Sequence, residues 1–413
     1  MMRTMLSLLL RFTLLFWMIS AVAAQPTVML PRTAITAEEL AVIVNEDDPL
    51  SRETAAYYLK ARHVPEANLI RVHLPAGRPA ISREDFAVLK REIDRQTRGH
   101  IQAYAIAWTA PYRAGCMSLT SAIAFGYDEK YCSTACRPTA ASPYFNSPSV
   151  YPAIDLHLRP AMMLAGRDIA AVKALIDRGV AADASFPDGR AYLLETADRQ
   201  RSVRAAYFDR TRQELAGVFP IEVLATDALV DRRDVLFYFT GLARVPKLDT
   251  LRFLPGALAD HLTSFGGQLL DSSQMSSLDW LAAGATASYG TVVEPCNHPQ
   301  KFPLPAVAML FYASGATAIE AYWKSVAWPG EGVFIGEPLA RPFAPSFTRI
   351  EAGIHELRLY SPREGGVRLE FSESAMGPYR ILGPTRPLQR GANRLRFAIP
   401  LADGYVRVTL SMR

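Results

Sequence analysis

Cysteine and histidine are scarce in this 413-residue sequence, at four and seven residues, and the motifs built from them are missing. Only Cys132 and Cys136 lie close together, and no His-x-x-x-His accompanies them, so the ligand spacing of a zinc site is absent. No Gly-x-Ser-x-Gly elbow and no Walker-type phosphate loop occurs, which removes two common signatures of enzymes. Basic residues do not cluster either. The arginines are scattered, with no run interleaved with aromatics, which argues against a nucleic-acid partner. After the first two dozen residues no apolar run is long enough to span a bilayer. No lipid-accepting cysteine follows that opening segment, and no lipidation motif closes the chain. No internal repeat is present, and neither a cofactor nor a metal is expected.

What is there is a globular composition. Half the residues are apolar and 21% are charged, enough for a sizeable core and two to three domains. Residues 1–24 read as a signal peptide: Arg3 and Arg11 form a basic start, Phe12 to Ile19 is apolar, and Ala21-Val-Ala23 or Val22-Ala-Ala24 offers small residues for cleavage. An uncleaved anchor is the rival reading, but the apolar run is short for one. Cleavage removes two arginines and takes the formal charge from +5 to +3. The mature chain is then exported, periplasmic or extracellular, with no membrane span. Four cysteines in an exported chain suggest disulfides. A local Cys132–Cys136 bridge is expected. That leaves Cys116 and Cys296 to pair with each other, or one of them as a free thiol.

Strand and helix signals alternate from residue 39 onward. Glu39 to Asn45, Leu69 to Leu74 and Tyr104 to Trp108 read as strands. Ser51 is placed as the cap of one intervening helix, and Ser82 opens another over Phe86, Leu89 and Ile93. Residues 111–151 break the rhythm as a long excursion tied down by a disulfide. The alternation resumes with a strand at Ala161, a helix from Asp168 to Ala182, and strands at Ala191 and Ile221. Val235 to Phe239 and Thr286 to Gly290 are buried strands. Leu254 to His261 reads as a helix start with Pro255 in its first turn, and Gly266-Gly267 as a helix stop. Such alternation implies an α/β fold with a mostly parallel, three-layer sheet. Past Arg341-Pro342 the pattern becomes apolar–polar alternation between turns, which predicts an antiparallel β-sandwich over 342–413. The α/β domain then covers 25–341.

The candidate chemistry lies in the central stretch. Cys296 follows a strand, where open α/β sheets place their ligands. With His261 or His298 beside it and Glu294 orienting the imidazole, it would form a catalytic Cys–His dyad. The bland alternative is a bridged or buried Cys296 with His261 bonded locally. Asn45, Asp47 and Asp48 end the first strand. One short loop cannot complete a cation shell, so they read as turn and capping residues.

Some segments resemble a known family. Asp234-Val-Leu-Phe-Tyr-Phe-Thr-Gly241 is similar to the strand that leads into the catalytic Gly-His-Gly of gingipain-like, caspase-fold cysteine peptidases. Gly284 to Gly290 resembles their later core strand. Gly315 to Ala321, with Phe334-Ile-Gly-Glu-Pro-Leu339, resembles their closing helix and Gly-Asp-Pro segment. The chain departs from the pattern in having Thr240-Gly241 without a histidine, and Glu337 before Pro338. The family's dyad is therefore not carried over. Over most of the mature length the chain also resembles an uncharacterised family of exported bacterial proteins, through Pro255 to Gly267 and Gly290 to Cys296. These resemblances imply a caspase/gingipain-like α/β domain. The expected function is that of an exported cell-envelope protein, either a cysteine-dependent hydrolase using Cys296, His261 and Glu294, or a non-catalytic scaffold. In the second case a degenerate peptidase-like fold binds an envelope protein, peptide or glycan.

Overall fold

The computed structural model describes residues 26–133, 136–399 and 403–412; the proposed signal peptide lies outside them. Ten strands form the central sheet. In chain order they are β1 (Leu40–Asn45), β2 (Leu69–Val72), β3 (Ala103–Ile106), β4 (Ala161–Met163), β5 (Arg190–Glu195), β6 (Ile221–Ala225), β7 (Val235–Thr240), β8 (Phe253–His261), β9 (Ala287–Thr291) and β10 (Gly332–Gly336). Their spatial order is β6-β5-β7-β8-β9-β10-β4-β3-β1-β2. Neighbours run parallel except β9 and β10, which pair antiparallel with Tyr289 opposite Phe334. The order reverses twice, at β1/β3 and at β5/β7. Crevices at such points face the carboxyl ends of the strands and are where open α/β sheets receive ligands.

Helices cover both faces, as a parallel sheet requires. Leu40, Val42 and Val44 of β1 point into one core with Tyr58, Val172 and Ile176, while Ala41 and Ile43 point into the opposite core with Phe86, Leu89 and Ile93. Those residues come from helices Pro49–Arg62, Arg83–Gln96 and Ile169–Ala182. Ser82 caps the second of them, accepting from Asp85 N. The first is capped by Asp48, which accepts from Leu50 N, and not by Ser51. Ser51 is buried and its hydroxyl accepts from Asn45 N instead, latching the helix to the end of β1.

The segment Leu254–His261 is strand, not helix. All six residues from Gly256 to His261 are buried. A strand buried on both faces shows no alternation, so periodicity does not separate it from a helix. Gly256 has φ +91, a conformation closed to most other residues, and the register against β7 shifts in the preceding stretch. Gly266-Gly267 consequently stops no helix. A Cβ on Gly290 would lie 2.4 Å from the Gly266 carbonyl carbon, so the two backbones touch there.

The C-terminal residues form two small sheets. One holds Ser346–Glu351, Ile354–Ser361 and Gly391–Ala398. The other holds Gly365–Ser372, Arg380–Leu388, Tyr405–Met412 and, from the beginning of the described chain, Thr27–Met29. Leu357, Leu359 and Phe397 from one sheet meet Val367, Leu369, Phe371, Val406 and Val408 from the other in a shared core. The α/β fold with its mostly parallel sheet and separate antiparallel sheets is thus the expected class.

Candidate functional site

Two disulfides shape the region around the candidate residues, and neither has the expected partners. Cys116 pairs with Cys132, and Cys136 with Cys296. The neighbours Cys132 and Cys136 therefore do not bridge each other. The second bond ties the 111–151 excursion to the loop after β9, across a sequence separation of 160. No cysteine among the described residues is free.

A cleft of about 430 Å³ opens at the carboxyl ends of β5, β8 and β9. Gln200 and Arg201 line it from the segment after β5, Thr263 and Ser264 from the segment after β8, and Glu294 and Asn297 from the segment after β9. The Cys136–Cys296 bridge forms part of its wall. Arg201 is held in place by two contacts: Nε donates to Thr263 Oγ1 at 3.1 Å and Nη1 pairs with Asp198 at 2.7 Å. Gln274 Oε1 accepts from Thr263 Oγ1 and from Phe265 N. Thr291 Oγ1 donates to the carbonyls of Thr263 and Ser264. The loop after β8 is therefore fixed by side chains on both sides.

The three residues proposed for catalysis stand apart in role. Cys296 is half-buried, in the left-handed region at φ 58, with its sulfur committed to Cys136. Glu294 orients no imidazole; its Oε1 accepts from the Cys296 backbone N–H at 2.8 Å and stabilises the turn. His298 Nε2 lies 2.8 Å from the Cys136 carbonyl oxygen. A carbonyl only accepts, so that ring nitrogen carries a proton.

His261 sits at the carboxyl end of the central strand β8 and is 1% exposed. Its Nδ1 accepts from Trp280 Nε1 at 2.8 Å, so the neutral ring holds its proton on Nε2. Burial, with the positive charge of Arg204 in support, lowers its pKa to about 3. A base must be ready to take a proton near working pH, and His261 is far from that. A thiolate–imidazole pair thus has neither its free sulfur nor its accessible base in this arrangement.

Next to His261, on the other face of the strand, Asp260 forms a 2.6 Å ion pair with Arg204, both fully buried. Arg204 also donates to the carbonyls of Thr240 and Pro303. Burial raises Asp260 to about 6 although Arg204 opposes it. This cluster, which in sequence stands next to cleft-lining residues, Asp260 before Leu262 and Arg204 after Arg201, was not foreseen. An aspartate inside the apolar run Ala257-Leu-Ala-Asp-His261 was its one signal. The cleft residues Gln200, Arg201, Thr263, Ser264 and Asn297 were also missed. Each follows a strand of the central sheet, so asking what stands after every strand would have found them.

The acidic residues after β1 act as turn and capping groups. Asn45 Oδ1 accepts from Asp47 N and Leu74 N, Asp48 caps the helix, and Asp47 meets His73. Glu337 accepts from Arg62 on both oxygens and from Tyr58 Oη at 2.7 Å, so it anchors the Pro49–Arg62 helix beneath β10. Among the described residues, no group of three or more His, Cys, Asp or Glu side chains is placed to hold a metal ion.

Neither a protein-family model nor a curated protein sequence matches the chain at significance. Two solved structures are weakly similar to it in fold. One is described as "Structure of Protease", with 10% identity over 92% of this chain and 98% of that one, and a TM-score of 0.39. The other is the complex of Porphyromonas gingivalis RgpB pro- and mature domains, with 9% identity over 91% and 99% of the chains and a TM-score of 0.45.

Proposed function

We propose that this is an exported cell-envelope protein that binds a peptide segment in the cleft at the carboxyl ends of β5, β8 and β9, without thiol catalysis. The observation that carries the reading is the Cys136–Cys296 bond. It occupies the Cys296 sulfur and makes the bridge a wall of the cleft. Two disulfides among the described residues support an oxidising compartment. No described helix is long and apolar enough to cross a membrane.

The lining supports a peptide ligand. Gln200 and Asn297 each offer an amide donor and an amide acceptor, Ser264 offers a hydroxyl, and Arg201 and Glu294 supply one charge of each sign. Donors and acceptors of both kinds can pair with the N–H and C=O groups of an extended backbone. A volume of about 430 Å³ is that of a small-molecule or short-peptide site.

The test is fluorescence polarisation against a peptide library, with hydrolysis followed on the same peptides before and after reduction. Saturable binding by the oxidised protein, weakened tenfold or more by Arg201→Ala, is expected. Hydrolysis that appears on reduction and vanishes in Cys296→Ala would replace this reading with that of a redox-gated cysteine hydrolase.

A further inference from the structure

A second cleft, of about 480 Å³, lies where the α/β part meets the C-terminal β-sandwich. Its walls are mostly apolar. Leu310 and Phe311 come from helix Pro305–Ala313, Leu359 from strand Ile354–Ser361, and Leu410 and Met412 from strand Tyr405–Met412. The seam beside it is firm: Tyr360 stacks on Phe219, packs against Phe343 and donates to the Val218 carbonyl at 2.6 Å.

The charges in this cleft are all of one sign. Among the described residues, Lys324 and Arg363 line it and no aspartate or glutamate does. Lys324 is only 2% exposed. Its ammonium lies 4.5 Å over the Phe311 ring and 5.0 Å over Tyr144, and donates to the Ser149 carbonyl at 2.8 Å. Phe311 and the residues flanking Ser149, Pro148 and Val150, are themselves cleft walls. An ammonium has three N–H donors, and one is accounted for. Glu320, one turn earlier, does not complete it. Its oxygens accept from Ile35 N, Thr317 N, Thr317 Oγ1 and Tyr144 Oη, and it forms no ion pair with Lys324. Arg363 is exposed and has no carboxylate partner among the described residues. Burial lowers the Lys324 pKa although the nearby Glu320 charge opposes it. A buried lysine among aromatic rings and aliphatic walls is costly unless something pairs with it.

We propose that this cleft binds a small monocarboxylate with a linear apolar body, its carboxylate paired with Lys324 and its chain laid along Leu310, Phe311, Leu359 and Leu410. One buried ammonium matches one negative charge; a phosphate dianion would bring a second charge that only the exposed Arg363 stands to meet. The site is separate from the polar cleft at the sheet edge and shares no lining residue with it.

Isothermal titration calorimetry of the purified mature protein tests this with decanoate, decanol, decylamine and decyl phosphate. Decanoate should bind saturably, and decanol and decylamine at least tenfold more weakly. Lys324→Met should weaken decanoate tenfold or more, with decanol unaffected. Ser314→Trp, at the cleft wall, should block all binding and keeps the test decisive if the lysine variant does not fold. Absence of saturable decanoate binding would overturn the proposal. So would decanol or decylamine binding as tightly, decyl phosphate binding more tightly, or a folded Lys324→Met with unchanged affinity.

Discussion

Acid stability should reveal two adjacent buried groups with opposite shifts. Burial lowers His261 to about 3, from an ordinary value of about 6.5. The folded state takes up this proton less readily than the unfolded chain. His261 therefore contributes stability that is fully present above about pH 6.5 and is lost as pH falls toward 3. Burial raises Asp260 to about 6, from about 3.9. Its folded state holds the proton more tightly, so its contribution is present below about pH 4 and is lost as pH rises through 6. Each pH unit inside a window changes stability by about 1.4 kcal/mol per group. Between pH 4 and 6 the two slopes have opposite sign and cancel. His261→Gln keeps an acceptor for Trp280 and removes one slope. Relative to the unmutated protein, its unfolding free energy should fall by about 3 kcal/mol from pH 4 to 6. Asp260→Asn should show the mirror trend, a relative rise of similar size. Urea titrations at pH 4, 5, 6 and 7, followed by tryptophan fluorescence, measure both. A constant difference between His261→Gln and the unmutated protein across that range would refute a buried neutral His261, and with it the argument that it is no catalytic base.

Other consequences follow from the same structure. Glu337→Gln removes the carboxylate that Arg62 grips with two nitrogens in a buried setting; Arg62 keeps its ion pair with Asp183, so the change should cost about 1–3 kcal/mol in chemical denaturation. Gly241→Ala would bring a Cβ to 1.9 Å from the Arg201 carbonyl oxygen. The displacement should cost at least about 2 kcal/mol and weaken peptide binding, because Arg201 lines the cleft. A thermal unfolding midpoint and a binding isotherm on that variant check both effects.

The sheet was largely legible because its strands announce themselves as short apolar runs between turn residues. Val235–Thr240 and Ala287–Thr291 needed nothing more. Alternation did the same for the C-terminal strands, which show one face to solvent, as in Ile354–Ser361. Phe253–His261 was misread because a strand buried on both faces carries Ala and Leu without a two-residue period, and a Pro-Gly pair imitates a helix start. The cap at Asp48 was confused with Ser51 because both are good capping residues three apart, and only the backbone path decides. Disulfide partners were not legible at all. Cys132 and Cys136 are close in sequence, yet each finds its partner elsewhere, since bridging depends on Cα approach of about 5–6 Å in the folded chain and not on spacing. Cysteine and histidine carry the most recognisable chemistry in the sequence. The cleft is instead lined by Gln, Ser, Thr, Asn and Arg, types too common in loops to stand out singly.

The central claim is that Cys296 is bridged to Cys136 and does not act as a nucleophile. Alkylation of the purified protein before and after reduction, followed by peptide mass mapping across a pH series, tests it directly. The account predicts no labelling without reduction, and two bridged peptide pairs, Cys116 with Cys132 and Cys136 with Cys296. Labelling of Cys296 in the unreduced protein, at a pH well below the free-thiol value of about 8.5, would contradict it.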